Sequence, residues 1–133
     1  MQSEKGKLKV IAGILLIGLT AFGSDRYTKS ISVETDPPGM RIYFCISATE
    51  TNAMAAREYV GASPCSVKVK VDSDGRFQNQ ISSFKHPVAV FMAEPPALQT
   101  NLYPQKQAFP VPSLFHKAAK APDAVFFDMN KKP

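Results

Sequence analysis

The residues with the most chemical scope in this 133-residue chain are two cysteines, Cys45 and Cys65, and two histidines, His86 and His116. A hydrolase needs its nucleophile beside a base, and the serine version carries a Gly-x-Ser-x-Gly elbow. No such elbow occurs, and neither cysteine has the sequence surroundings of an activated thiolate. A metal site needs ligands paired at short spacing, such as i, i+2 or i, i+4, and the two histidines are too far apart in sequence to form such a pair. Glu34, Glu50, Glu58 and Glu94 are scattered and give no pattern for paired acid and base work. Asp72-Ser73-Asp74-Gly75 starts like a calcium loop but lacks the third oxygen-bearing position before the glycine and the glutamate at position twelve. Asp74-Gly75 is instead a hairpin signal, with Arg76, Phe77 and Ile81 on the return strand. The sequence thus offers no catalytic, cofactor-binding or metal-ligating residue.

What remains is binding and cross-linking. Tyr43, Tyr59 and Tyr103 are candidate surface-binding aromatics, because such rings join apolar area to a polar tip; the alternative is a second core layer under a helix. Cys45 and Cys65 form a disulfide candidate, with two reduced thiols as the alternative. Strand parity bears on that choice. Cys45 lies off the apolar face Ile42-Phe44-Ile46, whereas Cys65 shares parity with Val67, Val69 and Val71, so a bridge needs a bulge or an edge position.

The elements that position these residues read mainly as β with one or two short helices, an α+β chain folded as a small antiparallel sheet or sandwich. Ile31 to Thr35 alternates apolar and polar, Asp36-Pro37-Pro38-Gly39 supplies a turn, and Met40 to Ser47 makes the second strand of a hairpin-like opening. Ser47-Ala48-Thr49-Glu50 has capping-box form ahead of the helix formers Thr51 to Glu58, and Met54 is expected to contact the sheet. Gly61-Ala62-Ser63-Pro64-Cys65 turns the chain into the period-two strand Ser66 to Val71. Pro87 to Ala93 is a continuous apolar run of buried-strand type, and Lys106 to Val111 reads as a loop or edge segment. Ser113 to Lys120 suggests a short helix stopped by Pro122, Asp123 to Met129 a last strand, and 130–133 a frayed tail.

Two of these clusters together resemble a known family. Thr35-Asp36-Pro37-Pro38-Gly39-Met40-Arg41-Ile42-Tyr43-Phe44, followed by Tyr59-Val60-Gly61-Ala62-Ser63-Pro64-Cys65-Ser66-Val67, is similar to the PEGA family. That pattern is a strand ending in Ser/Thr-x-Pro-x-Gly-Ala, a Val-x-Ile/Val strand, then Gly-x-Thr-Pro and another strand. Met40 stands here for the usual Ala, Ser63 for the usual Thr, and a helix-like insert for a tight turn. The resemblance implies a small β module on exported or membrane-attached bacterial proteins, an accessory or surface-interaction unit in which Pro37, Pro38, Gly39, Gly61 and Pro64 are structural turn residues.

The N-terminus agrees with export. Lys5, Lys7 and Lys9 precede the apolar run Val10 to Leu19, and Ala21-Phe22-Gly23 fits a cleavage site, so 1–23 reads as a signal peptide and Ser24 as the mature start. A retained membrane anchor is the main alternative, and a buried helix a lesser one; no cysteine follows Leu19-Thr20-Ala21, so lipidation is not indicated. The order is then 24–30 tether, 31–129 one β-rich domain, 130–133 tail. Cleavage lowers the formal net charge from +5 to +3, with charges interspersed rather than striped, which argues against a nucleic-acid partner. The expected function is that of a non-enzymatic periplasmic, envelope or secreted module contacting an envelope protein or cell-wall glycan, touching membrane only through an uncleaved N-terminus. An inhibitor or adaptor that pairs along a sheet edge, and a small hydrolase with an unrecognised site, are the alternatives.

Overall fold

The computed structural model describes residues 27–78, 86–97, 101–114 and 117–132. The signal or anchor segment, Ile81 and His116 lie outside them. Among the described residues seven strands and one helix follow in the order β1 (Thr28–Asp36), β2 (Arg41–Ser47), α1 (Glu50–Ala56), β3 (Glu58–Ala62), β4 (Cys65–Lys70), β5 (Val88–Glu94), β6 (Gln105–Pro110) and β7 (Ala124–Asp128). They form a three-stranded sheet, β4-β1-β7, and a four-stranded sheet, β3-β2-β5-β6. The mainly β class with one short helix is therefore what the chain adopts. All pairs are antiparallel except β1 with β7, which run parallel from Ser32↔Ala124 to Asp36↔Asp128.

Alternation explains the packing. Ile31 and Val33 of β1, Val67 and Val69 of β4, and Val125 and Phe127 of β7 turn inward, where they share one core with Ile42 of β2 and Ala89, Phe91 and Ala93 of β5. Successive strand side chains face opposite sides, so one apolar set per strand is enough to seal one side of a sheet. Four phenylalanines centre that core: Phe91 lies 4.7 Å from Phe44 and 5.7 Å from Phe109 between ring centroids, and Phe77 lies 6.4 Å from Phe91. Strand β5 carries an unbroken apolar run because both its faces are covered, by the core on one side and by α1 on the other.

Several expectations are corrected. Strand β1 begins at Thr28, inside the expected tether. Strands β1 and β2 are not a hairpin: they lie in different sheets, since two consecutive prolines remove ladder donors and Gly39 (φ 90°) turns the chain across the sandwich. The helix forms, but Thr49 rather than Ser47 caps it, its Oγ1 accepting from the Asn52 N–H at 3.1 Å. Ala53 packs onto the sheet and Met54 is 45% exposed. No helix occupies 113–114 or 117–120. Asn130 is tied rather than frayed, its Nδ2 donating to Asp36 O at 3.3 Å.

The short hairpin after β4 does form. Gly75 takes φ 81° and donates its N–H to Asp72 O, and Val71 pairs with Phe77. Asp72 Oδ1 accepts from the N–H groups of Asp74 and Arg76 at 2.8 and 3.0 Å, so its oxygen serves the turn.

Candidate functional site

The two proline clusters of the sequence meet in space. Gly39 N–H donates to Ser63 O and Ser63 N–H to Met40 O, both at 2.9 Å. The buried Ser63 Oγ accepts from Met40 N–H at 3.0 Å and shares a hydrogen bond with Thr35 Oγ1 at 2.5 Å. Pro37, Pro38, Gly39, Gly61 and Pro64 thus belong to one corner where the sheets join, and its hydroxyl pair satisfies polar groups that burial would otherwise leave costly. No ligand-facing role attaches to it.

The cysteines separate. Both are free thiols, which corrects the disulfide candidate. Cys45 faces outward from β2, beneath α1 with Ala53, Val90 and Met92, whereas Cys65 packs at the core between the sheets. The two side chains belong to clusters on opposite faces of the four-stranded sheet, so they do not meet. Burial pushes the Cys45 thiol up, with the Glu58 carboxylate adding to it, and burial alone raises Cys65. Both are held as thiols, the inert form.

The outward face of the four-stranded sheet gathers the remaining candidates. One in-register row crosses all four strands: Tyr59 of β3, Tyr43 of β2, Met92 of β5 and Lys106 of β6. Tyr59 is 60% exposed and meets Tyr43 edge-on, with centroids 5.6 Å apart. Arg57, just past α1, places its guanidinium 4.7 Å above the Tyr43 ring, donates from Nη1 to Met54 O at 2.7 Å and reaches Glu94 at 3.3 Å. The helix is thereby pinned across the middle of the row, and the row's ends stay open. Tyr103 stands apart, its N–H donating to Met129 O, so the structure brings together two of the three candidate tyrosines.

Between α1 and β6 the row opens into a cleft of about 410 Å³ lined by Met54, Met92, Glu94, Pro104, Gln105 and Lys106. The sequence reading missed it. Its signal was Lys106 and Met92 at outward parity, but only strand pairing puts them side by side. On the outer edge of β3 no further strand pairs among the described residues.

No family model, curated protein or solved structure matches this chain. Function is therefore argued from the face itself. Among the described residues no group of three His, Cys, Asp or Glu side chains is placed to hold a metal, and no helix is long and apolar enough to cross a membrane. The charges that flank the row are paired: Glu94 with Arg57 and Arg41, and Lys106 with Glu50 at 3.4 Å.

Proposed function

We propose that this protein is a non-enzymatic exported module of PEGA-like type that contacts an envelope protein or cell-wall glycan through the outward face of its four-stranded sheet. The observation that carries the reading is the aromatic corner at the end of the row. Tyr59 remains 60% exposed although it meets edge-on the Tyr43 ring that the Arg57 guanidinium covers. An exposed tyrosine on a rigid strand presents contact area at little entropic cost, and both peptide and sugar surfaces can use it. The basic-apolar-small N-terminal pattern supports export, and the hydrogen-bonded corner of the two proline clusters supports treating them as one module.

The test is a bacterial strain expressing the full chain with a photo-crosslinking residue at Tyr59, followed by fractionation and intact mass. The expected result is an envelope or secreted product beginning at Ser24, or retaining Met1 if anchored, crosslinked to a protein or wall fragment at that position. A cytoplasmic product, or a hydrolase activity abolished by one polar substitution, overturns the reading.

A second reading has its own observation. The outer edge of β3 has no strand partner among the described residues, and an exposed ladder of backbone groups is a site for strand addition by a partner. In that reading the protein is an inhibitor or adaptor, and crosslinks from Glu58 to Ala62 run in one strand register instead of radiating from Tyr59.

A further inference from the structure

The cleft between α1 and β6 lies at the other end of the row from Tyr59, and its chemistry is different. Its walls are the thioethers of Met54 and Met92 and the ring of Pro104. Methionine is flexible and polarizable, so a wall built from it adapts to a chain of variable shape. A volume of about 410 Å³ falls within the range of small-molecule sites.

Charge decides which end of a ligand lies where. Glu94 lines the cleft, but its two oxygens are shared between Arg57 at 3.3 Å and Arg41 at 3.9 Å, so two guanidinium groups surround one carboxylate. A cationic ligand finds no free carboxylate there. Lys106 closes the other side, and its only ion pair among the described residues is with Glu50 at 3.4 Å, both side chains being about half exposed at 52% and 49%. An ion pair so open to water contributes little and exchanges easily. The cleft thus offers an apolar wall, a carboxylate already held by two guanidinium groups and one lysine ammonium able to change partners.

We propose that this cleft binds a single-chain amphiphile with an anionic head, of the class of medium-chain carboxylates, its tail against Met54 and Met92 and its head on Lys106. The head replaces Glu50 at Lys106, and the tail removes the exposed part of Met54 from water. Met54 and Lys106 are distinct from Tyr59, so the methyl titration of the cleft and the crosslink at Tyr59 are read separately.

The test uses the full chain with isotope-labelled methionine methyl groups, titrated with decanoate below its micelle concentration and with decylammonium as the cationic counterpart. Met40 and Met129, buried at 1% and 0%, serve as internal controls. Decanoate is expected to move the Met54 and Met92 signals saturably while Met40 and Met129 stay still, and decylammonium to move none. Lys106→Gln is expected to weaken decanoate by about five- to tenfold, the size of one charge-assisted contact near the surface. Met54→Asp, at a position 45% exposed, is expected to abolish saturation while the Met40 and Met129 signals keep their folded positions. Uniform movement of all four signals, equal binding of decylammonium, or an unchanged affinity in Lys106→Gln overturns the proposal.

Discussion

The two faces of the four-stranded sheet are built from alternating residues of the same strands, yet they are organised by different physics. Inward, Ile42, Phe44, Phe91, Ala93 and Phe109 join a dry core whose energy comes from burial and close packing. Outward, Tyr43, Cys45, Val90, Met92 and Ala108 form a thinner layer roofed by one two-turn helix, and its margins are polar. The buried cluster of the inner face is apolar, whereas the outer face is held by the ion pair of Arg57 and Glu94. The lesson is that the inner face makes the fold and the outer face is left free to vary in what it presents.

Substitutions on the two faces should therefore differ in size and kind. Phe91→Ala, which removes the ring that contacts Phe44, Phe77 and Phe109 and has 0% exposure, is expected to lower unfolding free energy by about 3–5 kcal/mol in a denaturant titration. A loss below that range would mean the inner face is not the dominant core. Ala53→Leu overpacks the helix contact and is expected to cost about 1–3 kcal/mol, reducing helical signal while the phenylalanine core stays intact. Loss of both together would show that the faces are not separable.

Arg57→Ala removes the ring stack, the Glu94 pair and the bond to the end of α1, all part-exposed, and is expected to cost about 1 kcal/mol. Tyr59→Ala beside it is expected to change stability by less than about 0.5 kcal/mol while weakening any partner contact. Stability measurements and crosslinking on the same pair distinguish the two roles. For the thiols, alkylation of the folded protein at neutral pH is expected to be slow at both Cys45 and Cys65, and two alkyl groups are expected after unfolding without reductant. An unfolded mass lacking those groups and two protons lower would restore the bridge across the two faces.

The smallest expected effect lies in the turn outside both faces. At Asp72 burial pushes the carboxyl up, but the N–H groups of Arg76 and Asp74 and the Arg76 guanidinium outweigh it, leaving the pKa below the ordinary value. A depressed folded pKa stabilises above the unfolded value of about 3.9 and the contribution disappears as pH falls through the folded one. Wild type is thus expected to exceed Asp72→Asn in stability near neutral pH, with the gap closing in acid. A gap that widens in acid would reverse the assignment.

Much of this was legible along the chain. Period-two stretches such as Val67-Lys68-Val69 and the apolar run from Val88 marked β4 and β5, because alternation and double burial are one-dimensional consequences of a pleated strand. The parity of Cys45 against Cys65 already held the separation of the two thiols. Strand β3 was missed because five residues containing Gly61 carry no alternation of their own, and the helix expected after Ser113 competed with a segment tied to other strands, where Ala121 N–H donates to Gly75 O.

The sequence by itself determined the strands β1, β2, β4 and β5, the presence of the helix after β2, the proline clusters as turn geometry and the opposite faces of the two cysteines, since all of these follow from neighbours along the chain. Only the tertiary structure decided that β1 and β2 part into different sheets, that β7 runs parallel beside β1, and that Tyr59, Tyr43, Met92 and Lys106 stand in one row. Those arrangements rest on hydrogen bonds between residues far apart in sequence, and no local pattern encodes which strand edge will meet which.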